Sequence, residues 1–199
     1  MSALVPTFGP HVPRWGGALM RATGKLVLRL SGWRVIGDVP ASKMIVVAAP
    51  HTSNWDFVMG MAGLFAMRLR MQWVGKHTLF RAPFGGFMRR LGGIPVNRTA
   101  KVGVTRQIAE AFDKTDKLLV AIAPEGTRSP SKKWRSGFYH MAVTAGVPIL
   151  LAYLDYERRV MGFGPHFMPS GNQEEDMARM YEFYATIAPK FPENFLLPG

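Results

Sequence analysis

Apolar residues in this chain gather in short continuous runs separated by longer amphipathic stretches. The runs at 44–49, 72–74, 118–123 and 147–153 are mostly rich in Val, Ile and Leu and are bounded by Pro, Gly or charge. That pattern predicts strands buried on both faces. The stretches at 55–69, 101–113 and 137–145 predict helices between them, and 177–188 predicts a late helix stopped by Pro189. Strands alternating with helices predict an α/β fold. There is no internal repeat or low-complexity linker, so one domain is expected.

The stretch 15–33 stands apart. Trp15, Leu19, Ala22, Leu26, Leu30 and Trp33 recur every three or four residues, which predicts a helix with one apolar stripe. Arg14, Arg21 and Lys25 lie to one side of the stripe, with Arg29 at its border. Such a helix either lies in a membrane interface or packs its stripe on the domain's own core. Five bases (Arg14, Arg21, Lys25, Arg29, Arg34) stand here against one acid, Asp38, which favours the interface. The expected organisation is therefore an N-terminal amphipathic membrane-association segment, 1–40, followed by a domain over 41–199.

Charge sharpens this picture. The net charge is +12, and between Phe57 and Ala109 there are nine bases and no acid, while acids cluster late at Glu174, Glu175, Asp176 and Glu182. Such a field attracts an anionic membrane face, a phosphorylated substrate or nucleic acid. No run approaches the roughly 20 apolar residues of a membrane span. The start of the chain lacks the pattern of a signal peptide. With no cysteine, disulfides, thiolate metal sites and a cysteine nucleophile are excluded.

Three clusters carry candidate chemistry. The first, His51-Thr52-Ser53-Asn54-Trp55-Asp56, follows the predicted strand 44–49, at the kind of strand end where catalytic groups collect. With His51 in the turn and Asp56 in the first helical turn, the two side chains can meet. A carboxylate on one imidazole nitrogen leaves the other free to take a proton. Alternatively, Asp56 is simply an acid favoured at a helix N-terminus. The second cluster, Pro124-Glu125-Gly126-Thr127-Arg128-Ser129, follows the strand 118–123. Gly126 permits a tight turn, and Thr127, Arg128 and Ser129 offer donors suited to a phosphate. Glu125 could orient Arg128 or bond a substrate hydroxyl; an ordinary surface loop is the other possibility. In the third, Gly93-Ile94-Pro95-Val96-Asn97-Arg98 with Lys76 upstream, Arg98 and Lys76 are candidates for a second clamp on an anionic head group. The histidines show no metal-ligand spacing, so no metal site is expected.

Taken in order, these blocks resemble the glycerolipid acyltransferase family, typified by the lysophosphatidate (1-acylglycerol-3-phosphate) acyltransferases. His51 to Asp56 is similar to its His-x4-Asp block. Gly93 to Arg98 is similar to its second block, Pro124 to Ser129 to its third, and Val147-Pro148-Ile149 to its fourth. Pro50, Ala123 and Asn97 depart from residues common in the family. The resemblance implies a mixed, mostly parallel sheet flanked by helices, lying peripherally or monotopically on the cytoplasmic membrane face. It further implies direct acyl transfer from acyl-CoA or an acyl carrier protein to a lysophospholipid acceptor, with no cofactor. His51 would be the general base and Asp56 its orienting partner; Lys76, Arg98, Glu125, Gly126, Thr127 and Arg128 would bind the acceptor. The departures leave room for another acceptor, such as a lyso-aminolipid.

Two other classes make distinct demands. A nucleic-acid binder would use the charge with Trp55, Trp73 and Trp134 as stacking platforms, yet no binding motif is present. A serine hydrolase would need a Gly-x-Ser-x-Gly elbow, which is absent.

Overall fold

The computed structural model describes residues 3–96, 101–130 and 134–198. Seven strands form one sheet: β1 (Arg34–Ile36), β2 (Lys43–Ala48), β3 (Gln72–Lys76), β4 (Gly93–Val96), β5 (Leu118–Ile122), β6 (Ile149–Asp155) and β7 (Val160–Phe167). Their order is β1-β7-β6-β2-β5-β3-β4. Every neighbouring pair is parallel except the antiparallel β6–β7 hairpin. Among the described residues six α-helices cover the faces: α1 (Ala18–Ser31), α2 (Asn54–Met67), α3 (Gly85–Arg90), α4 (Lys101–Asp113), α5 (Gly137–Ala145) and α6 (Gln173–Tyr184).

The central strands are apolar throughout because alternate residues feed two cores. Ile45, Val47, Val120, Ile149 and Leu151 pack with α4, α5 and α6. Met44, Val46, Leu119 and Leu150 pack with α1 and α2 on the other face. Period-two alternation with no polar side is what burial on both faces requires. From α6, the fully buried Tyr184 donates its hydroxyl to the Val47 carbonyl at 2.7 Å, tying that helix to the end of β2.

Helix α6 begins and ends about four residues earlier than the sequence pattern predicts. The Asn172 side chain caps it by accepting from Glu175 N–H, and Glu174, Glu175 and Asp176 occupy its first turn. Negative charge is favoured at that end of a helix, which explains three of the four late acids, Glu182 lying in the last turn instead.

Helix α1 forms where its apolar spacing places it, but it packs on a different face. Its buried residues are Gly24 and Leu28, whereas Leu19, Leu26 and Leu30 are 81%, 56% and 80% exposed. A Cβ at Gly24 would press into the Ala62 carbonyl and Ala66 N–H of α2, so a glycine lets the two helices approach closely. Only the ends of the predicted stripe are packed: Trp15 stands edge-on to Phe65 at 5.4 Å, and Trp33 is buried. Residues within 1–40 also belong to the main body of the fold. Phe8, Val12, Trp33, Val35 and Val39 lie in the same core as β2 and α2, and β1 pairs with β7. No helix among the described residues is long and apolar enough to cross a membrane.

Candidate active site

Strand register gathers the site. In β2, Val47 pairs with Ile122 of β5 on one side and with Leu151 of β6 on the other. The segments leaving these three neighbours therefore emerge together at one edge of the sheet, where open α/β sheets place their ligands. His51 follows β2, Glu125 follows β5 and Tyr156 follows β6.

The turn after β2 is built around Asp56. Ser53 caps α2 by accepting from Trp55 N–H at 3.1 Å. Asp56, in the third helical position, returns its Oδ2 to the Ser53 N–H at 2.7 Å and the Thr52 N–H at 2.8 Å. This capping box folds the chain back, bringing His51 Nδ1 to 3.4 Å from the same oxygen. The helix-cap and histidine-partner roles weighed for Asp56 thus coexist: the bonds that start α2 also fix the carboxylate facing the imidazole. Burial by itself would push the Asp56 carboxyl up, but the adjacent His51 ring and the hydrogen bonds from Tyr156 and the Ser53 N–H together hold it below the usual carboxylate range. It stays ionised at neutral pH, and the stability it contributes is lost only as pH falls below about 4.

Glu125 is buried and points inward, with Oε1 accepting the His51 backbone N–H at 2.9 Å. Its Oε2 is buried and has no hydrogen-bond partner among the described residues. Burial pushes its carboxyl up to about 7, against the opposing effect of the His51 N–H. It therefore props the His51 turn rather than reaching outward beside Arg128. The rest of its loop is open. Gly126 adopts a left-handed φ of 64°, and Thr127 and Arg128 are exposed, with Thr127 Oγ1 accepting from Ser129 N–H at 3.2 Å. Lys76 is exposed at the end of β3, whose neighbour β4 ends at Val96. Arg98 lies outside the described residues.

Beside His51 and Asp56 opens a cavity of about 180 Å³ between α2 and the sheet. Gly60, Met61, Leu64, Met67, Val46, Ala121, Met161 and Phe163 give it almost wholly apolar walls. Among the described residues, no three His, Asp or Glu side chains group as metal ligands. Trp73 is packed between Phe57 and Phe80, and Trp134 is buried against Tyr181 and Tyr184, so neither is free to stack on a base. Tyr156 was not singled out by sequence. Its one available signal was position, as a hydroxyl-bearing side chain just past a buried strand.

Fold and site together describe an α/β enzyme domain with a histidine–carboxylate pair over an apolar cavity. The chain belongs to the acyltransferase family, whose model matches residues 33–153. It is 29% identical over 146 residues to the 1-acyl-sn-glycerol-3-phosphate acyltransferase of Haemophilus influenzae, covering 70% of this chain and 58% of that relative's length. Its fold is similar to the crystal structure of the 1-acyl-sn-glycerophosphate (LPA) acyltransferase PlsC from Thermotoga maritima. That likeness has a TM-score of 0.56 at 19% identity, over 84% of this chain and 75% of the other.

Proposed function

We propose that this protein transfers a fatty acyl group from a thioester, acyl-CoA or acyl carrier protein, to the free hydroxyl of a lysophospholipid. 1-Acylglycerol-3-phosphate is the first candidate acceptor, giving phosphatidate. The observation that carries this proposal is the His51–Asp56 pair at the mouth of an apolar cavity.

In the proposed reaction, Asp56 keeps the proton of His51 on Nδ1, so that Nε2 takes the acceptor's hydroxyl proton as its oxygen attacks the thioester carbonyl. A C–O bond forms, the tetrahedral intermediate collapses with loss of the C–S bond, and the imidazolium returns the proton to the departing thiolate. The apolar cavity holds a hydrocarbon chain. Lys76, Arg98 and Arg128, with the turn at Gly126 and Thr127, attract the phosphate of the acceptor. Glu125 acts through the His51 backbone that it supports.

The outer face of α1 seats the protein on an anionic bilayer. Leu19, Leu26 and Leu30 point away from α2, with Arg29 beside them and Lys25 farther round the same side of the helix. Deleting the segment would strip residues from the core, so surface changes give the cleaner test. Replacing Leu19, Leu26 and Leu30 together by Ser is expected to leave the melting temperature near wild type while weakening sedimentation with anionic vesicles by about tenfold or more. Undiminished sedimentation would remove this face from the binding surface.

The substrate class is tested by incubating purified protein with labelled acyl-CoA and a panel of lysolipids. Label entering phosphatidate supports the first candidate. Label entering an aminolipid product instead would move the acceptor assignment, and no acylated lipid with any acceptor or donor carrier would refute the function.

A further inference from the structure

The Asp56 carboxylate is nearly enclosed, at 3% exposure, and its two oxygens are treated differently. Oδ2 accepts the N–H groups of Thr52 and Ser53 and faces the His51 ring. Oδ1 accepts the phenol O–H of Tyr156 at 2.6 Å, a short charge-assisted bond. A carboxylate turns easily about its last torsion, and anchoring only one oxygen leaves the other free to swing. Engaging both fixes the plane of the group.

Tyr156 is itself held from several directions. It follows β6 directly, and its N–H donates to the Ala188 carbonyl at 2.8 Å. The Trp33 ring, just beyond α1, stands edge-on to it with centroids 4.9 Å apart, and the Lys190 ammonium lies 5.3 Å from its ring centroid. Burial and the adjacent Asp56 carboxylate push the phenol's pKa well up, so the group remains an O–H donor over any working pH. The hydroxyl contributes a bond to the charged carboxylate, while the ring contributes packing. Those two contributions separate experimentally.

We propose that Tyr156 is a positioning residue for acyl transfer: its hydroxyl completes the clamp on Asp56 that keeps the carboxylate aimed at His51. This rests on His51 and Asp56 being the base and its partner, as proposed above. It adds a third member, supplied by a segment outside the four sequence blocks, and links the base to the packing beneath α1.

The test is a double-mutant cycle of wild type, Tyr156→Phe, Asp56→Asn and the double variant. Initial rates are measured with acyl-CoA and 1-acylglycerol-3-phosphate in mixed micelles, at enzyme concentrations high enough to read the residual rate of Asp56→Asn. Tyr156→Phe keeps the ring and is expected to lower kcat about tenfold, part of the ~10²–10⁴ that a well-placed base contributes. KM for both substrates and the melting temperature are expected to stay near wild type. Asp56→Asn is expected to lose far more, and adding Tyr156→Phe to it to lose little further, because the phenol acts through the carboxylate. Lys190→Ala, which removes the ring's cationic neighbour but not the hydroxyl, is expected to keep wild-type kcat. A wild-type kcat in Tyr156→Phe beside a disabled Asp56→Asn would overturn the proposal and leave the dyad standing. Equal multiplicative losses in both backgrounds, or an equal loss in Lys190→Ala, would overturn it as well. Full activity in both Asp56→Asn and His51→Ala would instead sink the dyad, and the positioning role with it.

Discussion

The segment 50–56 after β2 and the segment 124–130 after β5 leave adjacent parallel strands at the same edge of the sheet, and they finish in opposite states. The first turns inward: Thr52, Ser53 and Asp56 are buried, and their hydrogen bonds close on one another. The second buries Pro124 and turns Glu125 inward onto the His51 N–H, but leaves Thr127 and Arg128 in solvent. A proton-transfer group needs fixed aim, whereas a clamp for a charged head group needs reach. In the proposed mechanism the two loops divide these requirements, and Glu125 joins them through the His51 N–H.

The largest expected effect comes from breaking the inner loop. Asp56→Asn is expected to cost on the order of 10³-fold in kcat, since an amide can present the wrong group to His51 and disturb its tautomer. Asp56→Ala is expected to cost the same activity and, in addition, about 1 kcal/mol of stability through loss of the cap. Denaturant unfolding beside kinetics separates the two contributions; equal stability of the two variants would mean that the capping bonds carry no weight.

Glu125 tests the link between the loops. A carboxyl whose pKa is raised on folding favours the folded state below its unfolded value, and that contribution is lost as pH rises through the folded one. Stability is therefore expected to fall between pH 4.5 and about 7, by up to on the order of 3 kcal/mol. Glu125→Gln still accepts from His51 N–H and is expected to flatten this dependence. An unchanged slope in the variant would show that Glu125 is not the group responsible. The smallest effect is expected in the outer loop. Arg128→Ala is exposed and should fold normally, raising KM for a phosphate-bearing acceptor about tenfold with little change in kcat. An unchanged KM would remove Arg128 from the clamp.

How much of this was legible in the sequence follows from where each residue's partners lie. The strands 44–49, 118–123 and 147–153 were visible because burial on both faces leaves an uninterrupted apolar run. β1 was not visible, since Arg34 and Ile36 are exposed around a single buried Val35. β7 was hidden by Gly162, Gly164 and Pro165. The approach of His51 to Asp56 was readable because a helix cap lies within six residues. The inward turn of Glu125 and the reach of Tyr156 depend on which strands become neighbours, and no local pattern encodes that. Helix α1 shows a different limit: apolar spacing located the helix, but Gly24 and Leu28, not the leucines of the predicted stripe, face the core.

The most direct measurement is of the proposed base, His51. Purified wild type and His51→Ala, matched in melting temperature, are incubated with labelled acyl-CoA and 1-acylglycerol-3-phosphate, and labelled phosphatidate is quantified. Steady product from wild type and a loss of at least about 10³-fold in His51→Ala is the expected result. Comparable product from both proteins would contradict it.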